Sequence, residues 1–187
     1  KTSVASTPIA QMPAETAKLD VTRTGAGRMY YTMRMNYYPK EMNAAKEEGF
    51  SISKTVEHLA KGDDGIQRIG IGTIARVTVV LTTKQDRPFV VVDDPLPAGF
   101  EVINTSFQTT GSNLNEDERQ NWYFNHRERK DDRVLFFADY LPAGIHTLSY
   151  LVRVTSFGTF QMPATKVEQM YEPEVFGQTA SGVVVIQ

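Results

Sequence analysis

Two glycines open the one segment whose spacing matches a nucleotide-binding motif, Gly70-Ile-Gly72-Thr-Ile-Ala75. Such a motif holds a pyrophosphate only where the glycines follow a strand and open a helix. Here they lead into Arg76-Val-Thr-Val-Val-Leu81, a run of β-branched and apolar residues that predicts a strand. The sequence therefore favours a bend before a strand over a nucleotide site.

The three histidines, His58, His126 and His146, are far apart in the sequence, and the chain has no cysteine. A zinc site needs three or four converging ligands, commonly histidines and cysteines. No histidine is paired with another ligand at helical spacing, so we expect no metal site and no catalytic histidine. The absence of cysteine also excludes a disulfide framework and a thiolate nucleophile within these residues.

Asp93 and Asp94 are adjacent carboxylates at the end of a predicted strand. Two carboxylates can share a proton and perform acid–base chemistry when they face each other. In a strand, however, neighbouring side chains point to opposite faces, so we expect a structural role at the following Pro turn. We find no phosphate loop or nucleophile motif either, and therefore predict a protein that is not an enzyme and binds no cofactor.

Composition narrows the class of protein further. The 187 residues are 41% hydrophobic and 22% charged, which allows a substantial core. A net charge of −2 argues against nucleic acid, because neutralising phosphates requires a surplus of Lys and Arg. The acidic residues Glu116-Asp-Glu118 also offset the mainly basic cluster Arg127-Glu-Arg-Lys130, and the two clusters flank Trp122. No apolar run approaches the roughly 20 residues that span a bilayer. Because the chain starts at Lys1, we expect a fragment or a processed protein.

These side chains must be positioned by short strands. Residues 1–16 are rich in Ser, Thr, Ala and Pro and predict a linker or tail. Residues 28–38 alternate with period two and predict a strand, whereas 43–49 suit either one helical turn or a charged loop. Residues 113–133 predict a charged surface excursion. Further strands are predicted at 74–83, 89–93, 100–104, 122–125, 134–138, 147–155, 159–162 and 183–186.

The most regular predicted strand is 147–155, whose inward set is Leu148, Tyr150, Val152 and Val154. Two Leu-Pro-Ala-Gly corners, ending at Gly99 and Gly144, each join two predicted strands. Pro fixes φ for a turn and Gly permits the positive φ that follows, so both corners predict the same turn chemistry. Many short strands between Pro and Gly turns predict an all-β fold, an antiparallel β-sandwich preceded by additional strands.

Three segments carry a resemblance to the bacterial alpha-2-macroglobulins. They are Gly25-Ala-Gly-Arg-Met-Tyr-Tyr31, Asp93-Asp-Pro-Leu-Pro-Ala-Gly-Phe-Glu101 and Met170-Tyr-Glu-Pro-Glu-Val-Phe-Gly177. The resemblance implies a β segment over 17–70 from the family's CUB-like domain, which follows the thioester domain. It also implies a C-terminal macroglobulin (MG10), Ig-like sandwich over 71–187.

The resemblance also implies a function. Family members are broad-spectrum protease inhibitors of the cell envelope that trap proteases after bait cleavage, and many carry a thioester. The chain contains neither bait region nor thioester cysteine, so it would act as part of a larger parent. In thioester-bearing members a Met-Tyr pair of this domain covers the thioester, and that pair corresponds here to Met170 and Tyr171. Such a lid is chemically reasonable, because a thioester must be kept from water and amines until it is triggered.

Other functions remain open at this point. One alternative is that Met170 and Tyr171 pack inside their own sandwich, with Glu172-Pro173 forming an ordinary turn. Another is that the parent belongs to a family branch without a thioester, in which this domain is purely structural. A stand-alone Ig-like adhesin or carbohydrate-binding module is a rival, for which Trp122 and Tyr123 offer the stacking surface. The resemblance implies a periplasmic lipoprotein parent. Expected partners are the thioester domain and other macroglobulin domains of the same parent, target proteases, and a cell-wall synthesis protein.

Overall fold

The computed structural model describes residues 22, 24–32, 42–104 and 122–187. The chain divides into two compact units, Lys1–Tyr38 and Pro39–Gln187. In the first unit, the described residues form neither strand nor helix. The strand predicted at 28–38 is therefore absent over 28–32, and its remainder lies outside the described residues. A period-two pattern is not sufficient for a strand, which also needs a neighbouring strand to accept its backbone hydrogen bonds.

The second unit is all-β in its described part. No described helix is long and apolar enough to cross a membrane. Its strands, numbered in chain order, are β1 Lys46–Glu48, β2 Phe50–Val56, β3 Ala60–Lys61, β4 Gln67–Ile69, β5 Ile74–Thr83, β6 Arg87–Pro95, β7 Phe100–Val102, β8 His126–Arg129, β9 Arg133–Leu141, β10 Gly144–Val154, β11 Gly158–Met162, β12 Lys166–Gln169, β13 Glu172–Gln178 and β14 Gly182–Ile186.

These strands form three sheets. The largest has the order β1-β13-β12-β6-β9-β8, the second β2-β5-β10-β7 and the third β11-β14-β4-β3. Neighbouring strands pair antiparallel, except that β14 runs parallel to β4. The first two sheets pack their apolar faces together into one core, which confirms the predicted antiparallel all-β fold.

The core follows the alternation in the two longest strands. In β5, Ala75, Val77, Val79 and Leu81 are buried, while the residues between them are more exposed. In β10 the predicted inward set is buried as expected. Leu151 is buried as well, so the middle of β10 is covered on both faces.

Several predicted elements differ in the structure. Residues 46–48, expected as helix or loop, form β1, an edge strand paired with β13. The short strand predicted at 122–125 is wrong, since Trp122 and Tyr123 lie in a turn and β8 begins at His126. Polar residues can occupy β8 because it is the outermost strand of its sheet. Residues 113–121 of the predicted excursion lie outside the described residues.

The two Leu-Pro-Ala-Gly corners use their glycines differently. Gly144 has a φ of 144°, as the predicted turn requires. Gly99 has no positive φ, so that part of the prediction is wrong. A Cβ there would lie 2.5 Å from Cδ1 of Ile186 and 3.0 Å from the carbonyl oxygen of Ser156. Gly99 is therefore suited to close packing rather than to an unusual backbone conformation.

Strands on both sides of residue 70 share sheets. β2 pairs with β5 along Phe50–Val56, and β4 pairs with β14. The segment assigned by resemblance to a CUB-like domain, 17–70, thus supplies strands to the same folded unit as 71–187. The family assignment of that segment stays a prediction, as does the tail at 1–16, which lies outside the described residues.

Candidate functional site

Met170 and Tyr171 form the two-residue loop of the hairpin between β12 and β13. The register places Gln169 opposite Glu172, so the two residues lie at the tip, beyond the last paired position. Met170 is 46% exposed and Tyr171 is 74% exposed. The sequence left open whether this pair packs inside its own sandwich, and in the structure it does not.

The loop is attached to β6 through Phe89. The backbone N–H of Met170 donates a hydrogen bond of 2.8 Å to the carbonyl oxygen of Phe89. The rings of Phe89 and Tyr171 meet edge to face, with centroids 5.2 Å apart and planes at 87°. Phe89 itself has a φ of 51°, a left-handed conformation that aromatic residues rarely adopt. The loop therefore has one backbone contact and one side-chain contact with the same residue.

The side chains of this loop are mainly apolar. A thioether and a phenol ring offer apolar surface, and the Tyr171 hydroxyl adds one group able to donate a hydrogen bond. Neither side chain acts here as an activated nucleophile or a general base. Such a surface can exclude water from a group on another domain, and it offers no means of reacting with that group.

Asp93 and Asp94 lie on opposite faces of β6, as the sequence predicts. Asp94 is fully buried and receives three partners. Lys54 Nζ lies 2.6 Å from Oδ1, the Tyr150 hydroxyl donates to Oδ2 at 2.6 Å, and the Thr165 hydroxyl donates to Oδ1 at 2.7 Å. This carboxylate is held structurally, inside the core.

Asp94 affects the pKa of Tyr150, whose hydroxyl donates a hydrogen bond to it. Burial, followed by the nearby Asp94 charge and the hydrogen bond to it, raises the pKa of Tyr150 well above its usual value. Asp93 instead faces Arg133, whose Nη1 lies 3.0 Å from Oδ2. Burial raises the pKa of Asp93, although the Arg133 charge opposes that shift. The two carboxylates therefore have separate environments and no shared substrate position.

Lys54 is the important residue that the sequence analysis missed. It lies in β2 on the same face as Phe50 and Ile52, which pack into or against the core. In the sequence, Lys54 is in phase with the apolar residues Phe50, Ile52 and Val56, and a charged residue in that phase was the available signal. A buried Lys requires a partner, and Asp94 provides it.

The remaining sequence candidates do not converge. His146 is buried, with Nε2 2.8 Å from the carbonyl oxygen of Pro142, whereas His126 lies 3.5 Å from a carboxylate oxygen of Glu128. His58 occupies an exposed turn with a φ of 61°. Within the described ranges, no three His, Asp or Glu side chains are grouped so as to hold a metal ion.

The glycines of the nucleotide-like motif join β4 to β5, two strands, so no helix N-terminus is present to bind phosphate.

An exposed aromatic surface lies elsewhere on the unit. Trp122 is 75% exposed and stacks on Tyr123, with ring centroids 3.7 Å apart. Together with Tyr140 and Pro142 these rings line an open cavity of about 440 Å³. Two polar side chains at this cavity, Asn125 and Asp139, are hydrogen-bonded to each other at 2.8 Å.

Known proteins resemble this chain over nearly its whole length. An alpha-2-macroglobulin homolog from a Nostoc species is 29% identical over 192 aligned positions, covering 97% of this chain and 10% of its own length. The chain therefore spans about a tenth of that relative. The family model for the bacterial alpha-2-macroglobulin MG10 domain matches residues 49–174.

Solved structures agree with the sequence comparison. Native Escherichia coli alpha-2-macroglobulin, from domain MG7 to the C-terminus, matches with a TM-score of 0.64 and 25% identity, over 80% of this chain and 25% of the other. Salmonella alpha-2-macroglobulin reacted with methylamine matches with a TM-score of 0.61 and 25% identity, over 80% of this chain and 10% of the other. Because the family model covers more than half of the residues, this chain belongs to the bacterial alpha-2-macroglobulin family, with 49–174 corresponding to its MG10 domain.

Proposed function

We propose that this chain is the C-terminal part of a bacterial protease inhibitor that traps proteases after bait cleavage. In this proposal the Met170–Tyr171 loop covers a thioester on another domain of the same parent. The observation that carries it is the position of the loop, whose two side chains lie exposed at the tip of a hairpin and are attached to Phe89. This pair lies outside the core formed by the described residues, and a largely apolar pair in that position suits a partner on a neighbouring domain.

The physical argument concerns water and amines. A thioester is an activated acyl group, and its lifetime depends on the exclusion of nucleophiles. The Salmonella relative reacts with methylamine, a small amine of the kind that such a cover must keep away. Bait cleavage would shift the domains and withdraw the loop, so that a covered and an uncovered state are selected by proteolysis.

The same proposal includes the cellular location of the parent protein and its partners. The parent is periplasmic and anchored as a lipoprotein, and it is an inhibitor, with no catalytic role for this domain. The direct partners of this domain are the thioester domain and other macroglobulin domains, while the target proteases meet the parent as a whole. A cell-wall synthesis protein is a further partner of the parent in this proposal.

The experiment uses the full-length parent. Free thiol released by methylamine is titrated over time for the wild type, Tyr171→Gly and Met170→Ala. Removing either side chain should speed release by on the order of tenfold, the effect of about 1.4 kcal/mol on a barrier. Phe157→Ala is the matched control, since Phe157 is also a large exposed residue, at 79%, but lies in the loop between β10 and β11.

The outcomes separate three functions. Faster release in both loop variants, with Phe157→Ala like the wild type, supports the cover. Equal and measurable release in all proteins contradicts it and leaves this domain a structural one. No thiol from any version, even after denaturation, places the parent in the branch without a thioester, where inhibition is steric.

A second candidate function rests on the cavity beside Trp122. Stacked aromatic rings next to an amide and a carboxylate form a surface on which a sugar ring can stack and bind. This arrangement favours saccharide binding over protein adhesion. A glycan array should then show binding by the wild type that Trp122→Ala abolishes and Phe157→Ala retains. No binding by the wild type would dismiss this candidate.

A further inference from the structure

We propose that Phe89 is the positioning residue of the Met170–Tyr171 loop, fixing the loop in the orientation that faces the neighbouring domain. This inference rests on the proposed cover function and adds to it a residue that lies about 80 positions earlier in the chain. Phe89 would not touch the covered group. It would act through the backbone of Met170 and through the ring of Tyr171.

The first step in the argument is the backbone of β6. The pairing of β6 with β9 continues in one register on both sides of Phe89, from Pro88 opposite Tyr140 to Val90 opposite Ala138, and skips Phe89 alone. At this residue φ is 51°. Left-handed conformations of bulky residues are costly and persist where the surrounding structure enforces them. The conformation is therefore a specific local feature of an otherwise regular strand.

The second step is the contact that this feature makes. β12 pairs with β6 up to Gln169 opposite Val90, so Met170 is the first residue after the ladder. Its N–H still donates to the carbonyl oxygen of Phe89 at 2.8 Å. The hydrogen bond thus extends the attachment of the hairpin by one residue, into the loop itself.

The third step concerns the side chains. Tyr171 is largely exposed, and among the described residues its ring contacts that of Phe89 edge to face. Phe89 is itself 45% exposed and is neither part of the hydrophobic core nor among the side chains packed against it. A ring in the core stabilises the fold, whereas a ring at the surface that contacts another exposed ring mainly restricts the directions available to both. Restricting the conformations of an interface residue before two domains meet strengthens its contribution to their binding, because less conformational entropy is lost on docking.

The test again uses methylamine-induced thiol release from the full-length parent, now with Phe89→Leu and Phe89→Tyr. Phe89→Leu keeps an apolar side chain but removes the aromatic edge, and it should speed release about two- to tenfold. Phe89→Tyr retains the ring and should release thiol at close to the wild-type rate. Phe157→Leu is the matched control, since it makes the same change at an exposed site away from the loop.

A double-mutant cycle distinguishes positioning from general stability. If Phe89 acts through Tyr171, Phe89→Leu should add nothing to the rate of Tyr171→Gly. The midpoint of thermal unfolding should stay close to that of the wild type. Equal acceleration by Phe89→Leu in both backgrounds, together with a lowered midpoint, would overturn the inference in favour of a structural role.

The failures of the two proposals are also distinct. If Tyr171→Gly speeds release but Phe89→Leu does not, the cover function stands and the positioning role of Phe89 is wrong. If Tyr171→Gly has no effect, or no protein releases thiol, both the cover function and the role of Phe89 are wrong.

Discussion

The ammonium nitrogen of Lys54 lies 2.6 Å from a carboxylate oxygen of Asp94, and the two side chains are 8% and 0% exposed. Lys54 belongs to the sheet containing β5 and β10, whereas Asp94 belongs to the sheet containing β6 and β9. The ion pair therefore crosses the interface between the two main sheets. Tyr150 and Thr165 complete the hydrogen bonding of the carboxylate. Because a wrong sheet packing would leave both charges buried without partners, this pair favours one arrangement of the two sheets.

Lys54→Met should lower the free energy of unfolding by about 3 kcal/mol, since it leaves a buried carboxylate without its counter-charge. In the double variant Lys54→Met/Asp94→Asn, the loss should be smaller than the sum of the two single losses. Urea denaturation of the 187-residue chain measures these differences. Lys130→Met is the control, because Lys130 pairs with Glu128 at the surface. Similar losses for Lys54→Met and Lys130→Met would contradict a special contribution of the buried pair.

Tyr150 makes the stability of the fold sensitive to alkaline pH. Burial, with the Asp94 charge and hydrogen bond, raises its pKa in the folded state above the usual value of 10. The unfolded chain therefore loses the phenol proton first, so the stabilisation is complete below about pH 10 and is lost as pH rises above it. Tyr150→Phe should lower the free energy of unfolding by about 1–2 kcal/mol at neutral pH.

The pH dependence is measured by urea midpoints between about pH 8 and 11. Over that range the midpoint of Tyr150→Phe should fall less steeply than that of the wild type. Parallel slopes for the two proteins would mean that Tyr150 does not titrate differently in the folded and unfolded states.

Asp86 stabilises the fold in a way that depends on pH and is lost in acid. Its carboxylate accepts hydrogen bonds from the Tyr140 hydroxyl and from the backbone N–H of Ala143, the latter at 2.9 Å. These bonds, the one from Tyr140 first, lower the pKa of Asp86. A lowered pKa gives stability that is present above the unfolded value of about 3.9 and is lost as pH falls through the folded value.

Asp86→Asn should therefore be less stable than the wild type at pH 7, and the difference should narrow below about pH 4. Thermal unfolding midpoints at several pH values provide the measurement. A difference that stays constant down to about pH 2 would show that the ionised carboxylate is not the source of the stabilisation.

The sequence predicted the parts of the fold that depend on local alternation. β5 was predicted with its observed bounds, and the inward set of β10 is buried, because long strands covered on one face must alternate. β12 and β13 were not predicted as strands, since Lys166–Gln169 and Glu172–Gln178 mix charged and apolar residues. Their pairing is set by β6 and β1, which are distant in the sequence.

The candidate site was likewise predicted only in part from the sequence. Met170 and Tyr171 were identified through a family resemblance, and their position at the tip of a hairpin was not predicted, because the flanking strands β12 and β13 were not. Phe89 was predicted only as the start of a strand. Its left-handed φ and its contact with Tyr171 depend on strands that are distant in the sequence. The residues next to Phe89 in the sequence therefore do not predict them.

Gly177 provides a steric test of the contact between β13 and the start of β2. Its φ is not positive, so backbone conformation permits alanine, but an added Cβ would lie 2.5 Å from the carbonyl oxygen of Phe50. Because backbone atoms cannot rotate away as a side chain can, β13 and β2 would have to separate. Gly177→Ala should therefore lower the free energy of unfolding by about 2 kcal/mol, in the range of overpacked cores.

Gly182→Ala is the matched control for this substitution. Gly182 also lies in a strand without a positive φ, and the nearest atom to an added Cβ is the Met162 Cβ at 4.0 Å. Alanine there should be neutral or stabilising by up to about 1 kcal/mol, since it reduces the freedom of the unfolded chain. Urea denaturation of both variants separates steric from entropic effects. If Gly177→Ala is as stable as Gly182→Ala, β13 does not approach Phe50 as closely as the structure places it.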